Sequence, residues 1–477
     1  MKDQNTEIYD IAIIGSGSGG YTAAIRSAQL GYKTVLIEKF STLGGTCTNV
    51  GCIPTKALLD STKQYIDAKN TFALHGIHTG TIQLDFEQIY KRKKDVVSKN
   101  VRGLDFLMKK NKIAVIEGTA IFVDNNTLEV VTNVNVDGNL EMFQLKADKF
   151  IIATGSKPAS IDGVTIDKTR IITSTEALTL KEQPHSMIVI GGGVIGVEMS
   201  TIFNRIGTRV TILEYADRLI PNMDSELGAN LKKTLTKEGV QIYLQQSVLR
   251  AKNLGSTVKV TYKNKDGQER ELEAEYLLVA VGRKPYTNRL GLDNTDVQLN
   301  PDGTIITNHD LQTTVPNIYA IGDVIGGPML AHKAEEEAVF VIEHINGQKP
   351  RIHYNRIPSV VYTWPEVASV GSTEDELKRK GIAYRTGKFP FSANSRARAG
   401  MDTEGFVKVL ADPKYGEVLG VHIIGARASD LIAQAVVALE YEVTADDMAR
   451  ISYAHPTFSE VVKEAYTIAS NRPSINI

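Results

Sequence analysis

The sequence has only two cysteines in 477 residues, a single tryptophan, and a formal net charge of -1. Each scarcity removes a class of protein. A secreted disulfide scaffold carries many cysteines spread along its length, whereas both of these lie in one segment, GGTCTNVGCIPTK, as Cys47 and Cys52. A zinc site needs further ligands at suitable spacing, and no histidine stands near this segment, so no metal is expected. Acids and bases are interspersed, which leaves no electrostatic footprint for nucleic acid or a membrane surface. No apolar run approaches the roughly 18–20 residues of a membrane span. The first ten residues, MKDQNTEIYD, have neither the apolar centre of a secretory signal nor the Arg-rich, acid-poor character of a transit peptide. The expected location is the cytoplasm.

The remaining composition, 42% hydrophobic and 23% charged, is that of a globular chain. At about 100–200 residues per domain, its length predicts three or four domains. The chain opens with a strand, IYDIAIIG, then a turn, GSGSGG, a helical run, and a second strand, TVLIEK, ending at Glu38. The same order returns 176 residues later: SMIVIGG, GGVIG, a helical run, and RVTILE ending at Glu214. These are two βαβ units, a duplicated architecture rather than a short repeat. Between them IYKRKKDVVSKNVRGLDFLMKK reads as a helix whose KRKK is a solvated face, because acids flank it and no aromatics interleave it. KIAVIEGTAIFVDNNTLEVV reads as strands. Thr154 and Gly155 in IIATGS, and Gly282 in LLVAVGRKP, end strands at glycine turns; they are domain crossovers and candidate cofactor contacts. From about residue 351, antiparallel strands followed by helices predict an α+β C-terminal domain.

The spacing of Gly15, Gly17 and Gly20 lets a backbone turn tightly, approach a pyrophosphate, and set it on a helix N-terminus. Glu38, at the end of the next strand, suits ribose hydroxyls. Gly191, Gly193, Gly196 and Glu214 repeat the set, and the negative charge of Glu214 disfavours a 2′-phosphate, which selects NAD over NADP. Arg218, four residues on, bears on that choice. Two such turns imply two dinucleotides. A cysteine pair beside them makes one a flavin, since two electrons arriving together must be relayed to a disulfide.

For the cysteines, Gly44, Gly45, Gly51 and Pro54 argue against two sulfurs in a plain core helix. A redox pair needs a thiolate, and a helical run after Pro54 would set both sulfurs near a positive helix end. Disulfide formation requires Cα atoms within about 7 Å, so an irregular first turn is expected. Lys56, just beyond Pro54, is either an ordinary surface lysine or a cation for developing negative charge. Near the C-terminus, YAHPTFSE offers His455 and Glu460. Alone, this histidine beside a proline suits a structural role; a dithiol substrate gives it a second one, as a base oriented by a carboxylate.

These segments together closely resemble the dihydrolipoyl dehydrogenase family, one branch of the flavoprotein disulfide reductases, across essentially the whole chain. GGTCTNVGCIPTK is similar to that family's redox motif, TTVPNIYAIGDV to its second flavin motif, and MLAHKAEEEA, GRKPYT, PSVVYTWPEVASVG and PFSANSRARA to further segments. The resemblance implies an α/β fold with two Rossmann-like domains, for FAD (1–155) and NAD (156–282). It adds a central domain (283–350) that completes the FAD site, and an α+β dimerisation domain (351–477). It implies that Cys52 is the charge-transfer thiolate next to the flavin and Cys47 the interchange sulfur. Asp323 would meet the FAD ribityl chain, Lys56 and Glu198 would pair near the flavin, and His455, oriented by Glu460, would serve the partner subunit of a homodimer. The implied reaction oxidises dihydrolipoyl groups on acyltransferase or glycine-cleavage carrier proteins, reducing FAD and then NAD. The lipoyl groups would come from a separate protein. Trp364 stands where relatives often carry a polar residue, and its effect is expected in local packing or partner contacts. Glutathione reductase, which would favour NADPH, is the near alternative. Mercuric and large thioredoxin reductases need another cysteine or selenocysteine centre that two cysteines cannot supply. A non-catalytic binding or adhesion protein on the same scaffold predicts loss of a catalytic element, and none is missing from the sequence.

Overall fold

The structure, a computed structural model, describes residues 8–132 and 140–476. The chain forms two compact units. The first gathers 1–57, 90–159 and 283–352, and the second 58–89, 160–282 and 353–477.

In the first unit the strand Ile8–Ile14 lies parallel between Thr34–Glu38 and Met142–Ile152. Thr34–Glu38 is buried along its whole length, as expected where helices cover both faces of a parallel sheet. Ala114–Asp124 and Met142–Ile152 are both long, and each pairs first in the antiparallel and then in the parallel part of one six-stranded sheet, or the reverse. Residues 114–117 pair in parallel with Thr34–Glu38, while 118–124 turn to an antiparallel partner, Thr127–Thr132. The change falls at Gly118, where a Cβ would come within 2.7 Å of the Val131 carbonyl oxygen. The short strand Ile318–Ala320 joins the parallel sheet beside Met142–Ile152, so a segment more than 150 residues away completes it.

The second unit repeats the plan with a five-stranded parallel sheet in the order Gln241–Tyr243, Arg209–Leu213, Ser186–Ile190, Tyr276–Val279 and Ile171–Ile172. A three-stranded antiparallel sheet spans Ser247–Ala274. Its C-terminal part is a five-stranded antiparallel sheet whose central strand, Val418–Gly425, is buried at seven of eight positions. The helices Ala428–Glu440 and Ser459–Ala469 bury Leu431, Ala435, Val461 and Tyr466 with Val407, Val421 and Ile423 of that sheet in one core. Among the described residues, no helix is long and apolar enough to cross a membrane.

Candidate active site

Both glycine turns are built the same way, position for position. Gly15 (φ 97°) and Gly191 (φ 104°) lie in the left-handed region that only glycine enters freely. A Cβ on either would strike a carbonyl oxygen, that of Ala153 at 2.7 Å or of Ala280 at 2.4 Å. Gly20 and Gly196 press their helices against the turn: a Cβ there would lie 1.8 Å from the Gly15 oxygen and 1.9 Å from the Gly191 oxygen. Gly20→Ala is therefore expected to cost about 1–3 kcal/mol or more, since backbone cannot yield as a side chain can. Calorimetry should record a lower Tm, and the purified protein should lose its flavin colour.

The middle glycines differ. Gly17 and Gly193 meet nothing within 4 Å of an added Cβ. They precede the helices Ser18–Gln29 and Val194–Arg205, whose ends carry no side-chain cap and no acid in the first turn. Elsewhere in the chain Thr173, Asp224 and Thr373 cap their helices with side chains. Two uncapped helix ends beside open glycines leave backbone N–H groups and positive dipole ends for phosphate, so the residues fit a dinucleotide at each turn.

Glu38 and Glu214 have a task that spacing did not reveal. The buried Glu38 accepts hydrogen bonds from the Ser16 N–H at 2.8 Å, the Ser16 hydroxyl at 2.7 Å and the Phe40 N–H at 3.0 Å. Glu214 likewise accepts from the N–H groups of Gly192 and Ala216, the latter at 2.6 Å. Each carboxylate thus ties its own glycine turn to the strand end that carries it. Arg218 faces acids, with Asp375 at 3.3 Å and Asp217 at 3.7 Å.

The cysteines lie on either side of a break. Cys47 is inside a six-residue helix, Gly45–Val50. Gly51 departs from helical geometry (φ −142°, ψ −114°), and Cys52 opens the long helix Cys52–Asn70. Pro54 falls in the first turn of that helix, where its missing N–H loses nothing. The positive end of the long helix thus falls at Cys52, and Cys47, hydrogen-bonded to Cys52, lies beside it. Cys47 is half-buried and Cys52 exposed. The Cys47 thiol is pushed strongly upward, first by its hydrogen bond to Cys52, then by burial and by charge on Cys52, against a hydrogen bond from Ser18. Two thiols this close titrate as a pair. Lys56 follows Cys52 by four residues, on the same side of the helix and half-buried.

Asp323 accepts a hydrogen bond from the Ser156 hydroxyl and lies 4.0 Å from Arg283 Nε. Arg283 in turn donates to the Ser156 hydroxyl and carbonyl oxygens, both at 2.7 Å. Thr154 donates to the Tyr286 carbonyl oxygen at 2.7 Å, and Tyr286 N–H to the Gly155 oxygen at 2.9 Å. Ser18, Ser156, Arg283 and Tyr286 were not singled out from sequence. Their only signals were a serine among the glycines of GSGSGG and an arginine and tyrosine in GRKPYT.

Glu198, Gly282, His455 and Glu460 belong to the second unit, with Gly191, Gly193, Gly196 and Glu214; the other predicted site residues belong to the first. Glu198 is buried and accepts from the Tyr362 N–H at 2.9 Å. Gly282 has φ 107° and open space around it. His455 Nδ1 lies 2.8 Å from Glu460 Oε1, and Glu460 Oε2 accepts from the Thr457 N–H at 2.8 Å. A carboxylate only accepts, so Nδ1 carries the proton and Nε2 is left as the base. Burial works to raise the Glu460 pKa, but the Thr457 N–H and His455 bring it below the ordinary carboxylate value. Among the described residues, no group of three or more His, Cys, Asp or Glu side chains could hold a metal.

Two dinucleotide turns with a thiol pair in the unit of the first define an oxidoreductase that moves electrons between a nicotinamide nucleotide and a disulfide. The comparisons agree: residues 9–338 match the pyridine nucleotide-disulphide oxidoreductase family and 357–466 its dimerisation domain. The chain belongs to this family, whose cofactors are FAD and NAD. It is 45% identical over 97% of its length to dihydrolipoyl dehydrogenase 1, mitochondrial, of Arabidopsis thaliana, covering 91% of that protein. It is 46% identical over 99% of its length to the mitochondrial dihydrolipoyl dehydrogenase of Caenorhabditis elegans, covering 94% of it. The HOCl-induced flavoprotein disulfide reductase RclA from Escherichia coli is structurally similar, with a TM-score of 0.84 and 28% identity over 96% of this chain and 100% of that one.

Proposed function

We propose that this chain is a dihydrolipoyl dehydrogenase: it oxidises protein-bound dihydrolipoyl groups to lipoyl disulfides through Cys47 and Cys52 and passes the electrons by way of FAD to NAD. The hydrogen-bonded thiol pair Cys47 and Cys52, at the start of the long helix and in the same unit as the first glycine turn, carries the reading. Identity near 45% to relatives of that name supports the substrate. The domain division read from sequence is part of the proposal: 1–155 for FAD, 156–282 for NAD, 283–350 completing the FAD site, and 351–477 for dimerisation.

Each residue then has a task. His455 Nε2 takes a proton from the substrate dithiol, while Glu460 holds the ring and balances the charge that forms. The substrate thiolate attacks Cys47 and breaks the Cys47–Cys52 bond, so Cys52 leaves as a thiolate. The second substrate thiol gives up its proton as its sulfur closes the lipoyl ring on the first and expels Cys47, and that proton goes to Cys47 while the first stays on His455. One dithiol is oxidised and one disulfide reduced. Bound FAD supplies the two-electron relay between the Cys52 thiolate and NAD. Gly15, Gly17, Gly20, Glu38, Thr154, Gly155 and Asp323 hold the flavin nucleotide, and Gly191, Gly193, Gly196, Glu214 and Gly282 the nicotinamide nucleotide. Lys56, four residues beyond Cys52, offsets the negative charge that develops there.

The dimerisation segment supports a homodimer in which each subunit's His455 serves its partner. The carriers would be lipoyl-bearing acyltransferases or glycine-cleavage proteins. The two dihydrolipoyl dehydrogenases named above are mitochondrial, while the cytoplasmic location read from sequence remains our proposal; fractionation of the source cells decides between them.

Comparing NADH-driven reduction of lipoamide with NADPH-driven reduction of glutathione disulfide tests the assignment. Fast turnover is expected only with NADH and lipoamide, and turnover of the second pair would move the chain to the glutathione-reductase branch. Loss of one charge at the second turn gives a finer check. Glu214→Gln keeps an acceptor for Gly192, and it should raise the KM for NADH severalfold while narrowing the preference over NADPH by about tenfold. Steady-state kinetics with both nucleotides reads it.

A further inference from the structure

Lys408, on the strand Phe406–Ala411, is a fully buried lysine far in sequence from every residue assigned above. Its Nζ lies 3.1 Å from both carboxylate oxygens of Asp224, which is also fully buried, 2.9 Å from Glu226 and 2.5 Å from Glu374. Asp224 caps the helix Ser225–Lys237 through the Glu226 N–H at 3.1 Å and accepts the Glu374 N–H at 3.1 Å. Its other neighbour is His422, 4.0 Å away. Burying such a cluster is often less favourable than an apolar core, and in some proteins it is retained for geometric specificity.

The geometry in question is the segment 214–224. It leaves the second glycine turn at Glu214 and ends on Asp224. Midway, Ile220 has φ 43°, a left-handed conformation that a β-branched residue holds only under strain imposed by its surroundings. The Ile220 N–H donates to the Gly192 carbonyl oxygen at 2.8 Å, inside the nucleotide turn itself. On the other side Arg218 meets Asp375, the neighbour of Glu374. One end of the strained segment is therefore pinned to the turn and the other to the buried lysine.

We infer that Lys408 is a positioning residue for NAD: by anchoring Asp224 it keeps segment 214–224 bent, and that bend keeps Glu214 and the Gly191–Gly196 turn in nucleotide-binding shape. The inference rests on the reading that this turn takes NAD. It makes a strand of the dimerisation segment a determinant of nucleotide affinity, without touching the thiol chemistry.

The test uses the FAD-loaded enzyme and two variants, Lys408→Met and Asp224→Asn. The second keeps a side-chain oxygen to cap the helix and decides the matter where the first fails to fold. Both should raise the NAD Kd, measured by titration, and the KM for NAD by about tenfold or more. Stopped-flow reduction of the flavin by dihydrolipoamide should be unchanged. Glu214→Gln runs alongside. If it leaves NAD binding intact, the reading of the turn is what fails. If it weakens NAD while folded, flavin-loaded Asp224→Asn does not, the role of Lys408 is overturned. An equal fall in both half-reactions of Asp224→Asn also overturns it, because that would mark general damage to the fold.

Discussion

Cys52→Ser is expected to lower turnover of dihydrolipoamide by about 10⁴-fold or more, and Cys47→Ser by the same amount. A serine oxygen forms no disulfide, so either change removes the whole relay, and the double variant should be no worse than either single one. Non-additivity of that kind marks residues that act as a unit. Neither side chain is fully buried, so both variants should fold, bind flavin, and still pass electrons from NADH to a one-electron acceptor that bypasses the thiols. Steady-state assays with dihydrolipoamide and with ferricyanide separate the two activities. Loss of both would mean that the substitutions damaged the flavin site instead.

His455→Gln should lower dihydrolipoamide oxidation by about 10²–10⁴-fold, the range for loss of a general base, again with the bypass activity retained. Glu460→Gln should fall less far, because an amide still positions the ring but gives no charge to an imidazolium. The Glu460 carboxyl sits below its ordinary pKa in the folded protein. Its orienting charge therefore persists through the usual carboxylate range and is lost only as pH falls through the depressed value. The acid limb of the wild-type profile should thus belong to groups other than Glu460. An undiminished rate in Glu460→Gln would remove this pair from the mechanism.

Much of this was legible because it is local. Strand, glycine turn and helix follow one another within about 30 residues, and a duplication at fixed offset makes each copy evidence for the other. The same holds for His455 and Glu460, five residues apart, and for the break expected between the cysteines, which falls at Gly51. What escaped is non-local. Glu38 and Glu214 bond to Ser16 and Gly192, each 22 residues back, an arrangement that spacing alone does not distinguish from ribose binding. Arg283, Ser156 and Asp323 converge from three places in the chain. Lys408 and Asp224 are 184 residues apart, and a lysine in an apolar strand gives no hint of its partners. The short helix Gly45–Val50 that carries Cys47 also escaped, since propensity gives no sign of it. Trp364 was expected to affect local packing, and it packs against the C-terminal core with its indole N–H on Asp402 at 3.2 Å and Lys63 over its ring.

The central claim is that Cys47 and Cys52 are the pair through which electrons pass. Anaerobic addition of one equivalent of dihydrolipoamide to the oxidised, flavin-loaded protein, followed by alkylation and peptide mass mapping, tests it most directly. The account predicts no alkylated cysteine before addition, and label on the Cys47–Cys52 peptide afterwards, with one lipoyl disulfide formed for each pair reduced. Cysteines that label equally with and without dihydrolipoamide, while NADH still turns over lipoamide, would contradict it.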